Sequence, residues 1–128
     1  MNSIDSIHIS DKNHQRLRLM YWLLFAFVLI CAILVQQLIP TFKPLLSSLG
    51  DGLPWISKIV LEYYLLIFLL PFYEFAMATM VTLNKTIPTD VQKIFKIIFF
   101  IDALTHVCLF SLVGISMYLP LVSMGKLN

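Results

Sequence analysis

The stretch Leu19–Leu38, LMYWLLFAFVLICAILVQQL, decides the fold class of this protein. It contains no charged residue, and as an α-helix it would be about 30 Å long, which matches the hydrocarbon core of a bilayer. Of the 128 residues in the chain, 59% are hydrophobic and 12% are charged. Soluble domains contain about 25% charged residues. The sequence therefore predicts an all-α membrane protein.

Two more apolar segments, 59–83 and 97–119, are long enough to cross a bilayer. With the first span at 19–38, they predict three transmembrane helices in a single membrane domain that covers 1–128. No other part of the chain is long enough to bury a soluble core. The remaining parts are a tail at 1–18, a loop at 39–58, a loop at 84–96 and a tail at 120–128.

Lysine and arginine residues are distributed unequally between the two sides of these spans. Six of them lie in 1–18 and 84–96, and three lie in 39–58 and 120–128. Positively charged flanks stay in the cytoplasm. This bias predicts a cytoplasmic N-terminus and a C-terminus on the opposite side, with 39–58 as the outer loop.

Three ionisable residues, Glu74, Asp102 and His106, interrupt the second and third spans. An ionised side chain at the centre of a bilayer costs about 2.5–3.5 kcal/mol on insertion scales, so each one is a candidate functional residue. Glu74 lies nine residues before Leu83 and His106 nine residues after Ile97. Both are therefore about 13 Å deep. Asp102 precedes His106 by one helical turn, so we expect the three to form an intramembrane polar contact.

Three interpretations of this polar contact remain open. Glu74 and His106 could pair only to satisfy each other across a helix pair, with Ala78 allowing the backbones to approach. They could contact a partner helix instead. A ladder of Asp102, His106 and Glu74 could also serve as a proton relay or a cation site.

Pro71 lies in the middle of the second span and has no backbone N–H. It frees a carbonyl three or four residues earlier, so we expect a kink, which either serves helix packing alone or also redirects Glu74.

The sequence predicts no catalytic residue and no cofactor. It has no glycine-rich phosphate loop, no nucleophile elbow and no zinc-ligand spacing, so no metal site is expected. Cys31 and Cys108 both fall near the middle of a span, where thiols act as small apolar groups. The net charge of +2 is spread along the chain, which argues against nucleic acid as a partner. The expected partners are membrane lipids and either other membrane subunits or copies of this chain, with no evident small-molecule substrate.

The outer loop at 39–58 has its own pattern. Pro40 is expected to end the first helix, and Gly50 and Gly52 around Asp51 indicate a turn. Between them, four apolar residues at helical spacing predict a short amphipathic helix on the outer membrane surface. These four residues are Phe42, Leu45, Leu46 and Leu49.

This loop resembles the one that follows the first membrane helix in the inner-membrane platform proteins of type II secretion systems and type IV pili. Pro40, Phe42, Gly50, Leu53-Pro54 and Ser57-Lys58 fall at the spacing of that family. The resemblance covers 39–58 and implies a bacterial inner membrane. The cytoplasmic domains through which the family contacts its assembly ATPase have no counterpart here, so motor coupling is not implied. The expected partner-docking residues are Phe42, Leu46, Leu49, Gly50, Leu53, Pro54 and Trp55.

These observations together predict a small inner-membrane accessory or scaffold protein. It would act by helix and loop contacts in a larger assembly, such as a secretion or pilus system, and it is not expected to be an enzyme. A membrane protein that neutralises a pore-forming bacteriocin is one alternative. A component of a proton or cation pathway that uses Glu74, Asp102 and His106 is the other.

Overall fold

The computed structural model describes residues 3–48, 52–84 and 87–125, with side chains described for 11–48, 52–84 and 87–122. Three of its helical stretches, Asp11–Ser47, Trp55–Leu83 and Thr89–Val122, are long and apolar enough to cross a membrane. The predicted all-helical architecture with three such helices is confirmed. The helices are α1 (Ser3–Ser47), α2 (Trp55–Tyr63), α3 (Leu69–Leu83) and α4 (Thr89–Gly125), with a 3₁₀ segment at Tyr64–Phe68.

The prediction that Pro40 ends the first helix is wrong, because α1 continues through Pro40 and Pro44 to Ser47. A proline inside a helix removes one backbone hydrogen bond, and in a membrane span other groups can satisfy the freed carbonyls. The carbonyls that lose their usual donor are those of Gln36 and Pro40, one turn before each proline. The Thr41 and Ser47 hydroxyls donate to other carbonyls, those of Gln37 and Pro44, each at 2.9 Å. The expected amphipathic segment is therefore the last part of α1 rather than a separate helix.

The segment predicted as an N-terminal tail is also helical, since α1 begins at Ser3. Its 45 residues would extend about 68 Å at 1.5 Å per residue, which is more than twice the hydrocarbon thickness. His14 is half-buried, and its Nε2 lies 3.2 Å from the Val81 carbonyl oxygen near the end of α3. The first part of α1 therefore packs on the rest of the chain.

The second span changes from α-helix to 3₁₀ helix over Tyr64–Phe68, just before Pro71. Pro71 has no N–H to donate to the Ile67 carbonyl. Leu69 donates its N–H to the Leu66 carbonyl, which is the tighter i to i−3 pattern. This irregular turn separates α2 from α3, the helix that carries Glu74.

α1 packs against both α3 and α4, and α2 packs against α4. We call the end of the bundle that holds Leu83 and Thr89 the α3–α4 end, and the end that holds Ser47 and Trp55 the α1–α2 end. Each end has a buried apolar cluster. At the α3–α4 end the cluster contains Leu17, Tyr21, Ala78, Val81 and Ile87, and at the α1–α2 end it contains Val35, Ile39, Val60 and Val113.

Of the three spans, the one formed by α4 has the smallest buried fraction. Only 11% of its most apolar window is buried, compared with 28% for α1. Its outward residues are large and apolar, as in a helix that faces lipid or another helix. They include Ile97, Phe100, Ile101, Leu104, Ile115 and Tyr118.

Gly114 of α4 lies in the wall of an apolar groove of about 380 Å³ between α1 and α4. A Cβ atom added at this glycine would meet no heavy atom within 4 Å. Alanine is favoured over glycine in a helix by about 1 kcal/mol. We expect the Gly114→Ala variant to raise the free energy of unfolding by up to about 1 kcal/mol, measured by denaturant titration in mixed micelles. A loss of stability would show that the groove is occupied in the membrane.

Candidate functional site

The structure places Glu74 of α3 against His106 of α4, with Glu74 Oε1 3.6 Å from His106 Nδ1. The side chain of Glu74 is 0% exposed and that of His106 is 5% exposed. Glu74 lies nine residues before the end of α3 at Leu83, whereas His106 lies seventeen residues after the start of α4 at Thr89. The equal depths expected from the sequence were counted from Leu83 and Ile97, and Ile97 lies eight residues after the observed start of α4.

The ring of His106 is oriented by its own helix. His106 Nδ1 lies 2.7 Å from the backbone carbonyl oxygen of Asp102, one turn earlier. Because a carbonyl oxygen only accepts hydrogen bonds, Nδ1 must carry the hydrogen. The second nitrogen, Nε2, is buried and has no hydrogen-bond partner among the described residues. Both carboxyl oxygens of Glu74 are likewise buried without a hydrogen-bond partner there.

The carboxyl group of Asp102 does not join this buried pair. It is half-buried at the edge of the bundle, where the Tyr73 hydroxyl donates to Asp102 Oδ2 at 3.2 Å. Asp102 therefore meets His106 through its backbone and Tyr73 through its side chain. Tyr73 was missed in the sequence because a search for charged residues passes over a tyrosine in an apolar span.

α1 contributes Tyr21, which is fully buried. Its hydroxyl donates to the Phe95 carbonyl at 2.9 Å, and its ring meets the rings of Phe95 and Phe99 edge-on at 6.3 and 5.5 Å. These contacts hold α1 against the N-terminal part of α4. On the neighbouring face of α1, the indole N–H of Trp22 donates to the Thr82 hydroxyl of α3 at 3.1 Å.

At the α1–α2 end, a buried hydrogen bond runs from the Ser57 hydroxyl to the Ser116 carbonyl and joins α2 to α4. The expected docking residues of the loop have different positions. Leu46 is fully buried, so it cannot form part of an exposed surface, whereas Trp55 is 71% exposed. Phe42, Leu53 and Pro54 are half-buried. Leu49, Gly50 and Asp51 lie outside the described residues, as do Lys85, Thr86 and Lys126.

Within the described parts of the chain, no three histidine, cysteine or acidic side chains come together as metal ligands. Cys31 and Cys108 are not joined in a disulfide. The described residues instead form a buried pair, Glu74 with His106, and a half-buried pair at the edge of the bundle, Tyr73 with Asp102.

Comparison with protein-family models, with curated proteins and with solved structures gave no match for this chain.

Proposed function

We propose that this protein is an accessory subunit of a larger membrane assembly and that it docks onto a transmembrane helix of another subunit. The proposal includes a bacterial inner membrane as the location, with the N-terminus in the cytoplasm and the C-terminus outside. The observation that carries it is the position of Asp102 and Tyr73 at the outer edge of the bundle.

Asp102 lies six residues after Lys96, so it is about 9 Å further along the helix axis from that charge. Its carboxyl group is half-buried and accepts one hydrogen bond from a side chain, that of Tyr73. An ionised carboxylate offers about four acceptor sites. Lipid chains have no donor to fill them, and polar groups inside a bilayer generally face another protein group. A donor from a neighbouring subunit would meet this need.

The residues around this pair form a surface that a helix could approach. We define the docking face as Leu69 and Tyr73 of α3 with Asp102 and Thr105 of α4. Leu69 precedes Tyr73 by one turn, and Thr105 follows Asp102 by nearly one turn. The hydroxyl of Thr105 is already bonded to the Ile101 carbonyl at 2.8 Å, so the small side chain leaves room for a close backbone.

The chemistry of the docking face favours another subunit over a second copy of this chain. A symmetric dimer about this face would use the same patch twice and bring the two Asp102 carboxylates towards each other. Repulsion between them would be strong in a medium of low dielectric constant. The complementary partner is a helix with a lysine, arginine, histidine, asparagine or glutamine at this depth. The loop resemblance makes secretion and pilus platforms the first assemblies to test.

Photo-crosslinking in cells tests this proposal. A crosslinking amino acid at Leu69, on the docking face, is expected to capture one membrane protein whose captured helix carries a donor side chain at that depth. Leu104 is the matched control, because it is equally exposed, 66% against 62%, on the other side of α4. Capture of only the chain itself from Leu69 would contradict the accessory role.

The Asp102→Asn variant should reduce capture from Leu69 by about tenfold or more. A hydrogen bond to a charged group contributes about 1.5–3 kcal/mol, and 1.4 kcal/mol corresponds to a factor of ten in affinity. Asp90→Asn is the control variant, since Asp90 lies at the start of α4 and pairs with Lys93 at 3.6 Å. Equal capture by the wild-type and Asp102→Asn proteins, at equal protein levels, would exclude Asp102 as the anchor.

A further inference from the structure

Three buried polar atoms of one contact lack a hydrogen-bond partner among the described residues: Glu74 Oε1, Glu74 Oε2 and His106 Nε2. Buried polar side-chain atoms are normally hydrogen-bonded, and each exception calls for a physical explanation. Here the exceptions lie on two ionisable groups whose nearest atoms are 3.6 Å apart. The three atoms without partners therefore belong to a single site.

Counting the hydrogen-bond donors and acceptors of Glu74 and His106 identifies what the site lacks. An ionised Glu74 has acceptor atoms only, and the single hydrogen on a neutral His106 is directed to the Asp102 carbonyl. Every remaining polar atom of the pair is then an acceptor. The described residues bring no third acidic, histidine or cysteine side chain to the pair as a metal ligand. A proton is the simplest species that turns one of these acceptors into a donor.

We propose that Glu74 and His106 form a single proton-binding site that takes up one proton in total, in addition to the hydrogen on His106 Nδ1. In one form the proton is on Glu74, as a carboxylic acid beside a neutral imidazole. In the other form it is on His106 Nε2, as an imidazolium beside a carboxylate. Both forms have zero net charge. A second proton, or the loss of the first, leaves a unit charge in a medium of low dielectric constant.

The ionisable groups that face the pair come from all three packed helices. Tyr21 comes from α1, Tyr73 from α3 and Asp102 from α4, and each interacts electrostatically with at least one other member of this group. The hydroxyl hydrogens of Tyr21 and Tyr73 are used elsewhere, by the Phe95 carbonyl and the Asp102 carboxyl group. Neither hydroxyl donates to Glu74, so the shared proton is the hydrogen available to the pair.

Among the residues that the structure describes, we find no chain of hydrogen-bonded side chains from this site towards the α1–α2 end. Towards the α1–α2 end, the hydroxyls of Thr105 and Ser116 are bonded to carbonyls of their own helix. The groove between α1 and α4 in that half is lined by apolar side chains and by Cys31, Gly114 and Tyr118. A hydrogen-bonded chain from His106 towards that end therefore has no side-chain link at these positions.

The experiment uses the full chain in lipid nanodiscs. The protonation of His106 is followed by the NMR signals of ¹⁵N-labelled histidine, and that of Glu74 by the infrared carbonyl stretch of a protonated carboxyl group. We expect both signals to change together as pH is varied. In Glu74→Gln, the midpoint for His106 should move by about one pH unit or more, the mark of coupled titration. Glu74→Asp should restore the coupled response.

Glu62→Gln is the matched control, because Glu62 is an exposed glutamate of the same span. It should leave the midpoint of His106 unchanged, and the signal of His14 in the same spectra reports any general shift. If Glu74→Gln is not recovered as a folded protein, His106→Asn provides the reciprocal measurement, with the carboxyl band expected to move by about the same amount. An unchanged midpoint of His106 in folded Glu74→Gln, or an unchanged carboxyl band in His106→Asn, would overturn the proposal.

Discussion

Replacing His106 by leucine while Glu74 is retained is expected to lower the free energy of unfolding by about 3–5 kcal/mol. Glu74 has no exposed surface, and its nearest polar partner is His106. Without the imidazole, Glu74 has no neighbour at 3.6 Å that can carry a compensating positive charge, so it is left as an isolated carboxylate or must stay protonated. Both states are costly inside a bilayer, where water cannot replace the lost partner.

The double variant Glu74→Leu/His106→Leu separates the value of the pair from the cost of breaking it. Exchanging both members of a buried ionisable pair for apolar residues is often neutral or stabilising. We therefore expect the double variant to be more stable than His106→Leu alone, which unfolding in mixed micelles can measure. His14→Leu is a useful control because the histidine it replaces is only half-buried. A double variant no more stable than His106→Leu would contradict the expected cost of an unpaired Glu74, and one less stable than the wild type would mean that the pair contributes net stability.

Tyr21→Ala is expected to cost about 3 kcal/mol, at the lower end of the range for large aromatic residues. Tyr21 is fully buried and contacts two rings of α4. In a lipid environment the loss comes mainly from packing contacts, since apolar surface exposed to lipid costs little. The variant should therefore loosen α1 from α4 more than it affects insertion.

Tyr21→Phe keeps the packing and removes only the hydrogen bond to the Phe95 carbonyl, so about 1 kcal/mol should be lost. Tyr118→Ala is the control, because Tyr118 of α4 is exposed and a surface substitution usually changes stability by less than about 0.5 kcal/mol. Measured under one set of conditions, the loss of unfolding free energy should be largest for Tyr21→Ala, smaller for Tyr21→Phe and smallest for Tyr118→Ala. Equal losses for Tyr21→Ala and Tyr118→Ala would show that Tyr21 does not hold the helices together.

Several features of the fold follow from local sequence alone. Long runs of apolar residues without charge predicted three helices, because a backbone in lipid must satisfy its own hydrogen bonds. Pro40 was the local signal that failed. Its effect on a helix depends on whether the folded protein compensates for the lost hydrogen bond and accommodates the ring, and α1 continues through both Pro40 and Pro44 to Ser47. A residue-by-residue rule for proline cannot include such compensation.

For the candidate site, too, the sequence predicted some features and the tertiary structure decided others. The equal depth predicted for Glu74 and His106 used Leu83 and Ile97 as the span ends and a constant rise per residue, whereas α4 begins eight residues earlier, at Thr89. Their facing each other, the turning of Asp102 towards Tyr73 and the burial of Leu46 were not readable. These depend on the rotation of each helix about its axis and on which helices are neighbours. Side-chain packing between helices sets both, so only the tertiary structure decided them.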